Sequence, residues 1–235
     1  KTAYEISLGL VGSEMCIRDR CDIASKAMDL ASEMLEDGVM ESEVKAEVLE
    51  EMFKLGADGA AFDIIVASGP RSSMPHGAPG NRVMREGDVV VVDLGAVFGG
   101  YCSDMTRTFY IGENPPEEVE KIYEAVVEAK RLAEESVKPW TLSLAIYDKV
   151  CDRFAAMGYA DRFIHGLGHG VGIEVHEPPR ISKIGREMIQ ENMVITIEPG
   201  IYLPGKFGVR LEDTLLVEKD GVRRLTSAPY TLTPY

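Results

Sequence analysis

Asp93 closes a run of four valines, Val89–Val92, and an unpaired carboxylate at the end of so apolar a strand is costly. Asp104 follows eleven residues on, beyond Gly99-Gly100, which mark a tight turn. With the turn centred between Phe98 and Gly99, the two aspartates face each other across a hairpin, their β-carbons about 4.5–5.5 Å apart. Anions that close repel unless a cation lies between them. The plainer reading is two turn-flanking aspartates on a solvated face, and a bulge would break the register.

The chain has four histidines, His76, His165, His169 and His176. Three lie within twelve residues, and His165-Gly166-Leu167-Gly168-His169-Gly170-Val171-Gly172 is too rich in glycine for the helix that an H-x-x-x-H zinc pair would need. Such a segment instead lets the backbone come close to a ligand, and three histidines in it read as functional more than structural. Glu198, in Ile195-Thr196-Ile197-Glu198-Pro199-Gly200, and Glu212, in Val209-Arg210-Leu211-Glu212-Asp213-Thr214, both interrupt β-like apolar text. Strand alternation puts Arg210, Glu212 and Thr214 on one face. A buried glutamate needs a metal or a cationic partner; the alternative is a Glu212–Arg210 surface pair. Two aspartates, two glutamates and one histidine make a set of hard oxygen ligands plus an imidazole, suited to Mn²⁺, Co²⁺, Fe²⁺ or Zn²⁺. Bridging carboxylates hold two ions about 3.5–4 Å apart in two-metal hydrolases.

The elements that must carry these residues are readable from periodicity. Ile23, Ala27, Leu30, Ala31, Met34 and Leu35 predict a helix from Cys21 that Gly38 stops, and Val44, Val48, Leu49, Met52 and Phe53 share one face of a second, from about Ser42 to Leu55. A strand is expected over Phe62–Ala67, then a Gly/Pro loop containing His76, then the Val89–Ile111 hairpin. Asn114 is expected to cap a third helix with Pro115 at its first position, and a fourth follows Thr141 or Ser143. Beyond His165 the text is Gly-rich and β-like. Two helix-then-strand halves of similar size result, without a residue-level repeat. Lys1–Arg20 has no clear period. It is expected to be a non-native or disordered segment, leaving residues 21–235 as the working domain.

Of the 235 residues 45% are hydrophobic, enough for a real core. A net charge of −14 argues against binding a phosphate backbone, so no nucleic-acid partner is expected. No apolar run approaches the ~18 residues of a membrane span, and Lys1–Met15 does not read as a secretory signal. Cys16, Cys21, Cys102 and Cys151 match no zinc or disulfide spacing. They read as reduced thiols, which predicts a cytoplasmic protein.

From Cys21 to Pro234 the sequence resembles the pita-bread metallopeptidase family, which includes methionine aminopeptidases, Xaa-Pro aminopeptidases and Xaa-Pro dipeptidases. The resemblance lies in Val92-Asp93-Leu94-Gly95, Ser103-Asp104-Met105-Thr106-Arg107-Thr108, Gly168-His169-Gly170, Ile197-Glu198-Pro199-Gly200 and Arg210-Leu211-Glu212-Asp213, in that order. It implies an α+β fold, a curved antiparallel sheet covered by helices in two pseudo-symmetric halves. It also implies two divalent ions, Mn²⁺ first and Co²⁺, Zn²⁺ or Fe²⁺ as alternatives, on Asp93, Asp104, His169, Glu198 and Glu212. Ala67-Ser68-Gly69-Pro70-Arg71-Ser72-Ser73-Met74-Pro75-His76-Gly77, Val175-His176-Glu177-Pro178 and Glu198-Pro199-Gly200-Ile201-Tyr202 are similar to the proline-specific branch. The reaction so implied is hydrolysis of the Xaa-Pro bond at a peptide N-terminus by a metal-activated water, on peptides with proline at position two. In it Glu198 carries the proton, His76 and His176 orient the substrate and stabilise the tetrahedral intermediate, and His165 helps to form the proline pocket. Tyr202 and Arg210 support these groups from behind. The rivals are a methionine aminopeptidase and a pita-bread binding module without catalysis, though such relatives have typically lost ligands that this chain keeps. Proline-specific members usually carry a separate N-terminal domain, which is expected to be missing here or replaced by the first ~20 residues, and a homodimer is an open expectation.

Overall fold

In the computed structural model, which describes residues 11–233, the helix-then-strand order runs twice along the chain. Helices α1 (Val11–Glu33) and α2 (Glu41–Lys54) lie against a sheet of β2 (Ile65–Ser68), β3 (Val89–Leu94) and β6 (Met105–Tyr110). Helices α3 (Glu117–Ser136) and α4 (Ser143–Ala156) lie against β7 (Gly168–Gly170), β8 (Glu177–Ile181), β9 (Val194–Ile197), β12 (Asp213–Glu218) and β13 (Gly221–Arg224), ordered β13-β12-β9-β7-β8. A small sheet of β1 (Gly59–Ala60), β4 (Ala96–Phe98) and β5 (Tyr101–Cys102) extends the first half. The hairpin β10 (Gly200–Leu203) and β11 (Phe207–Arg210) joins the second. Every strand pairing is antiparallel. No helix among the described residues is long and apolar enough to cross a membrane.

Each half has its own core. Ala27, Met28, Val48 and Met52 meet Val90, Val92 and Phe109 in the first; Ile122, Val126, Val150 and Phe154 meet Ile195, Ile197 and Leu215 in the second. β3 is buried along its whole length, as its unbroken apolar text requires. Val90 and Val92 point at the first helix pair, so alternation turns Val91 and Asp93 the other way, toward the second half.

The details depart from the expected pattern at four places. α1 begins at Val11, ten residues before Cys21, while residues 1–10 of the doubtful segment lie outside the described residues. Arg20, the last residue of that segment, is buried with its guanidinium over the Tyr101 ring and belongs to the packed helix. α3 starts at Glu117 after Pro116, not at Pro115, because the residue before a proline is pushed out of the α region. Phe53, expected inward on α2, is 53% exposed, whereas Val44, Val48 and Met52 are buried.

The fourth departure is the hairpin register. Gly99 and Gly100 have φ of 59° and 80°, the paired positive values of a two-residue turn that glycine adopts without strain. The turn is therefore centred between these glycines, with Phe98 opposite Tyr101 and Asp93 opposite Thr106. Asp104 is displaced by two residues from the expected partnership. A slip of two preserves the face, so both aspartates still look the same way.

Truncating Phe154, fully buried in the second core, should cost about 3–5 kcal/mol. Truncating Phe53 should change stability by no more than about 0.5 kcal/mol. Urea unfolding of the two alanine variants measures both.

Candidate metal centre

Five segments from both halves deliver the five expected ligands to one cavity of about 690 Å³. Asp93 stands near the end of β3 and Asp104 just before β6. His169 is the middle residue of β7, Glu198 follows β9, and Glu212 lies between β11 and β12. An isolated bridge pairs Thr106 with Glu212, so the first hairpin and the second half are stitched together at the ligands themselves. Acceptor atoms of Asp104, His169 and Glu212 lie within 4.8 Å of one another. His169 Nε2 is 3.6 Å from Asp104 Oδ2 and 3.6 Å from Glu198 Oε1.

The two glycines beside His169 are required by the strands, and Gly166 and Gly168 also line the cavity. A Cβ on Gly168 would stand 2.0 Å from the Thr196 carbonyl oxygen, and one on Gly170 would stand 2.2 Å from that of Pro178. Only bare backbone lets β7 close on both neighbours and hold the histidine between them. The ring is oriented by its own neighbour: Nδ1 donates to the Gly170 carbonyl at 3.0 Å, leaving the Nε2 lone pair toward the carboxylates.

Arg210 is a cation set against this wall. Its Nη2 donates to Asp93 Oδ2 at 2.6 Å, Nε to Thr106 Oγ1 at 3.2 Å, and Nη1 to the Tyr202 hydroxyl and the Pro75 carbonyl. Thr106 in turn donates to Glu212 Oε2 at 2.6 Å. Arg210 and Glu212 are thus buried and joined through Thr106, not paired on the surface. Tyr202 is buried behind the cavity. Its hydroxyl lies 2.9 Å from His165 Nε2, and His165 Nδ1 donates to the Gly166 carbonyl at 2.6 Å. The His165 ring packs edge-on against Phe163. His76 and His176 are exposed at the rim, with the His176 ring 4.3 Å from that of His169.

Sequence reasoning passed over Glu41, which anchors the loop bearing His76. Its buried carboxylate accepts from the Ser68 amide at 2.8 Å and hydroxyl at 2.7 Å, from Arg71 Nε at 3.2 Å and from the Gly80 amide at 3.0 Å. A glutamate in the first turn of a charged helix gives no signal of such a role; only the four partners do.

Residues 15–219 match the model of metallopeptidase family M24. The chain belongs to that family. It is 47% identical over 210 residues to the Xaa-Pro dipeptidase of Pyrococcus furiosus, covering 89% of this chain and 60% of the relative. It is similarly close to the Xaa-Pro dipeptidase of Pyrococcus horikoshii. The solved prolidase of Pyrococcus furiosus superposes with a TM-score of 0.91 at 44% identity, over 94% of this chain and 65% of that one. The X-Pro aminopeptidase of Thermotoga maritima gives 0.93 at 37% identity, over 98% and 65%. The two halves and their antiparallel sheets are the M24 pita-bread fold. This M24 chain spans about 60% of the length of the curated relatives it matches.

The electrostatics of the M24 centre fit a divalent cation. Asp93 Oδ1 and Glu212 Oε1 are buried oxygens with no hydrogen-bond donor among the described residues, an arrangement that is costly unless something positive meets them. Burial first, and then the neighbouring carboxylates, raise the pKa of Asp104 and Glu198 well above the carboxylate range. Burial and Glu212 raise Asp93 to about 6, against the pull of Arg210, and burial also raises Glu212. Burial lowers the pKa of His169, so its imidazole is neutral and free to ligate. Four hard carboxylates and a neutral imidazole are the donor set of Mn²⁺, Co²⁺, Fe²⁺ or Zn²⁺.

A pH dependence follows. Carboxylates with raised folded pKa values contribute stability that is full below the unfolded value and is lost as pH rises through the folded one, near 6 for Asp93. The metal-free protein is therefore penalised at pH 7 by repulsion that protonation relieves at pH 5. The rise in Tm on adding Mn²⁺ should be larger at pH 7 than at pH 5, and binding should release protons. Differential scanning calorimetry, and titration calorimetry in two buffers of different ionisation enthalpy, check the pair.

Proposed function

We propose that this chain is the catalytic part of a proline-specific metallo-exopeptidase, hydrolysing the Xaa-Pro bond at the N-terminus of a peptide. Two divalent cations, Mn²⁺ foremost, are held by Asp93, Asp104, His169, Glu198 and Glu212. The observation that carries this reading is the buried wall of carboxylates, two of whose oxygens have no donor, facing the lone pair of His169. Its proline specificity is supported by the names of its M24 relatives, Xaa-Pro dipeptidase and X-Pro aminopeptidase.

When bound, the cations supply Lewis acidity, activating water and polarising the scissile carbonyl. The rest falls to the side chains. Glu198 is the most open of the four carboxylates, its side chain 19% exposed, and its Oε2 lies 4.0 Å from His165 Nδ1. It accepts the proton of the attacking water and returns it to the departing proline nitrogen. His76 and His176, on the rim, orient the peptide and stabilise charge on the carbonyl oxygen. Asp93, fixed by Arg210, faces the free amine, which limits cleavage to the N-terminus. An Xaa-Pro bond has no N–H, so selection must come from the shape of the ring. His165, held by Tyr202 and packed on Phe163, gives an apolar edge for that purpose. Burial and Arg210 lower its pKa to about 3, so it meets proline uncharged. A cavity of about 690 Å³ accommodates a di- or tripeptide.

The test is to strip the protein of metal, restore Mn²⁺, and compare an Xaa-Pro dipeptide, an Xaa-Pro-Xaa tripeptide and a Met-Ala peptide. Turnover of the proline peptides, falling by more than about 100-fold in Asp104→Ala, is expected. Dipeptide turnover alone makes it a dipeptidase; preference for Met-Ala makes it a methionine aminopeptidase. A folded, Mn²⁺-loaded protein that turns over none of the three would refute the enzymatic reading.

A further inference from the structure

Behind the two glutamates lies a knot of buried charge for which the proposed reaction has no direct use. Asp213, fully buried, follows Glu212. In the ladder between β9 and β12 it is the partner of Ile197, the residue before Glu198. The same register, continued by one position, sets Glu198 against Glu212, and alternation turns both glutamates to the face opposite Asp213. Asp213 therefore stands directly at the back of the pair of residues whose carboxylates front the cavity.

Three cations converge on it. Arg107 Nη2 lies 2.7 Å from Oδ1, and Lys130 Nζ and Arg224 Nε lie 3.1 Å and 3.3 Å from Oδ2. Two of these cations use further donors on the backbone of the glutamate-bearing segments. Lys130 Nζ donates to the Ile197 carbonyl at 2.9 Å. Arg107 Nη1 donates to the Glu212 carbonyl at 2.6 Å and to that of Thr106 at 2.9 Å. Lys130 and Arg107 are 2% and 1% exposed. Burying an ammonium and a guanidinium is expensive, and apolar packing of the same volume often serves stability as well. What apolar side chains could not do is tether two carbonyls to a single point.

We propose that Lys130, Asp213 and Arg107 are the positioning residues of the two metal-ligand glutamates. Asp213 gathers the two cations, and each cation holds the peptide group next to one glutamate. The lattice so fixes the separation of the Glu198 and Glu212 backbones, and with it that of their carboxylates. Cation affinity depends on ligand oxygens held to within about 0.2 Å, and partners behind the ligands typically change it 10–100-fold. The inference rests on the metal-centre reading of the front face.

Titration calorimetry with Mn²⁺ on metal-stripped wild type, K130M, D213N and E134Q tests it. Glu134 contacts Lys130 and Arg224 but neither glutamate segment, so E134Q controls for loss of a charge in the knot. Wild type and E134Q should bind alike. K130M and D213N should bind at least about tenfold more weakly, with far-UV dichroism and cooperative unfolding retained. Electron paramagnetic resonance of the loaded proteins adds a signature that a purely structural role would not move: an exchange-coupled Mn²⁺ pair in wild type, and isolated-ion six-line spectra in K130M. Folded K130M and D213N with affinities within twofold of wild type would overturn the proposal. Should D213N not fold, K130M decides alone, since it leaves the Arg107–Asp213 pair in place. Wild type that binds no Mn²⁺ would instead overturn the metal-centre reading, and the two failures are distinct.

Discussion

Mutual repulsion among Asp93, Asp104, Glu198 and Glu212 is the constraint on which the rest of this molecule depends. Three buried carboxylates and the partly buried Glu198 share one wall, and Arg210 neutralises only part of their charge. Burial and the neighbours together hold protons on them well above the usual range. Such a wall is stable only if the surrounding structure holds the anions rigidly and something positive meets them at neutral pH. Both halves of the fold serve that end. β3 and the start of β6 bring the aspartates, while β7, the end of β9 and the start of β12 bring His169 and the glutamates.

The rigidity comes from close backbone approach and from buried hydrogen bonds. Gly168 and Gly170 remove the side chains that would keep β9 and β8 away from His169. Thr106 couples Arg210 to Glu212, and Glu41 gathers the loop that carries His76. Gly168, Arg210 and Glu212 line the cavity themselves, whereas Thr106 and Glu41 act on it through their partners. They tie up the polar groups around the ligands, while Asp93 Oδ1 and Glu212 Oε1, on two residues that line the cavity, have no donor among the described residues.

Much of this was legible in the sequence, for reasons of unequal strength. A carboxylate that ends a run of valines, or breaks β-like text, is conspicuous because apolar neighbours leave it no solvent, and Asp93, Glu198 and Glu212 stand out that way; Asp104 is legible from its place across the turn and His169 from its Gly-rich segment. The sharing of a face by Asp93 and Asp104 survived an error in register because side chains alternate with period two. The error arose because two consecutive glycines allow more than one centring of the turn. The start of α3 was misplaced because Pro116 acts on the residue before it. The knot behind the glutamates left no trace. Lys130 sits in the helical text Glu128-Ala129-Lys130-Arg131, where a lysine reads as solvated, yet it is buried. Its role depends on Ile197 and Asp213, 67 and 83 residues away in the chain, and no local pattern encodes that meeting.

The partition of the ligands between the halves has a mechanical consequence. Two aspartates come from one half and a histidine with two glutamates from the other, so cations held among them, as proposed, would cross-link two separately cored bodies. Unlike a disulfide, such a staple would be withdrawn by a chelator and restored by mixing. The docking of one half upon the other would then be set by the free concentration of the ion in the surrounding solution.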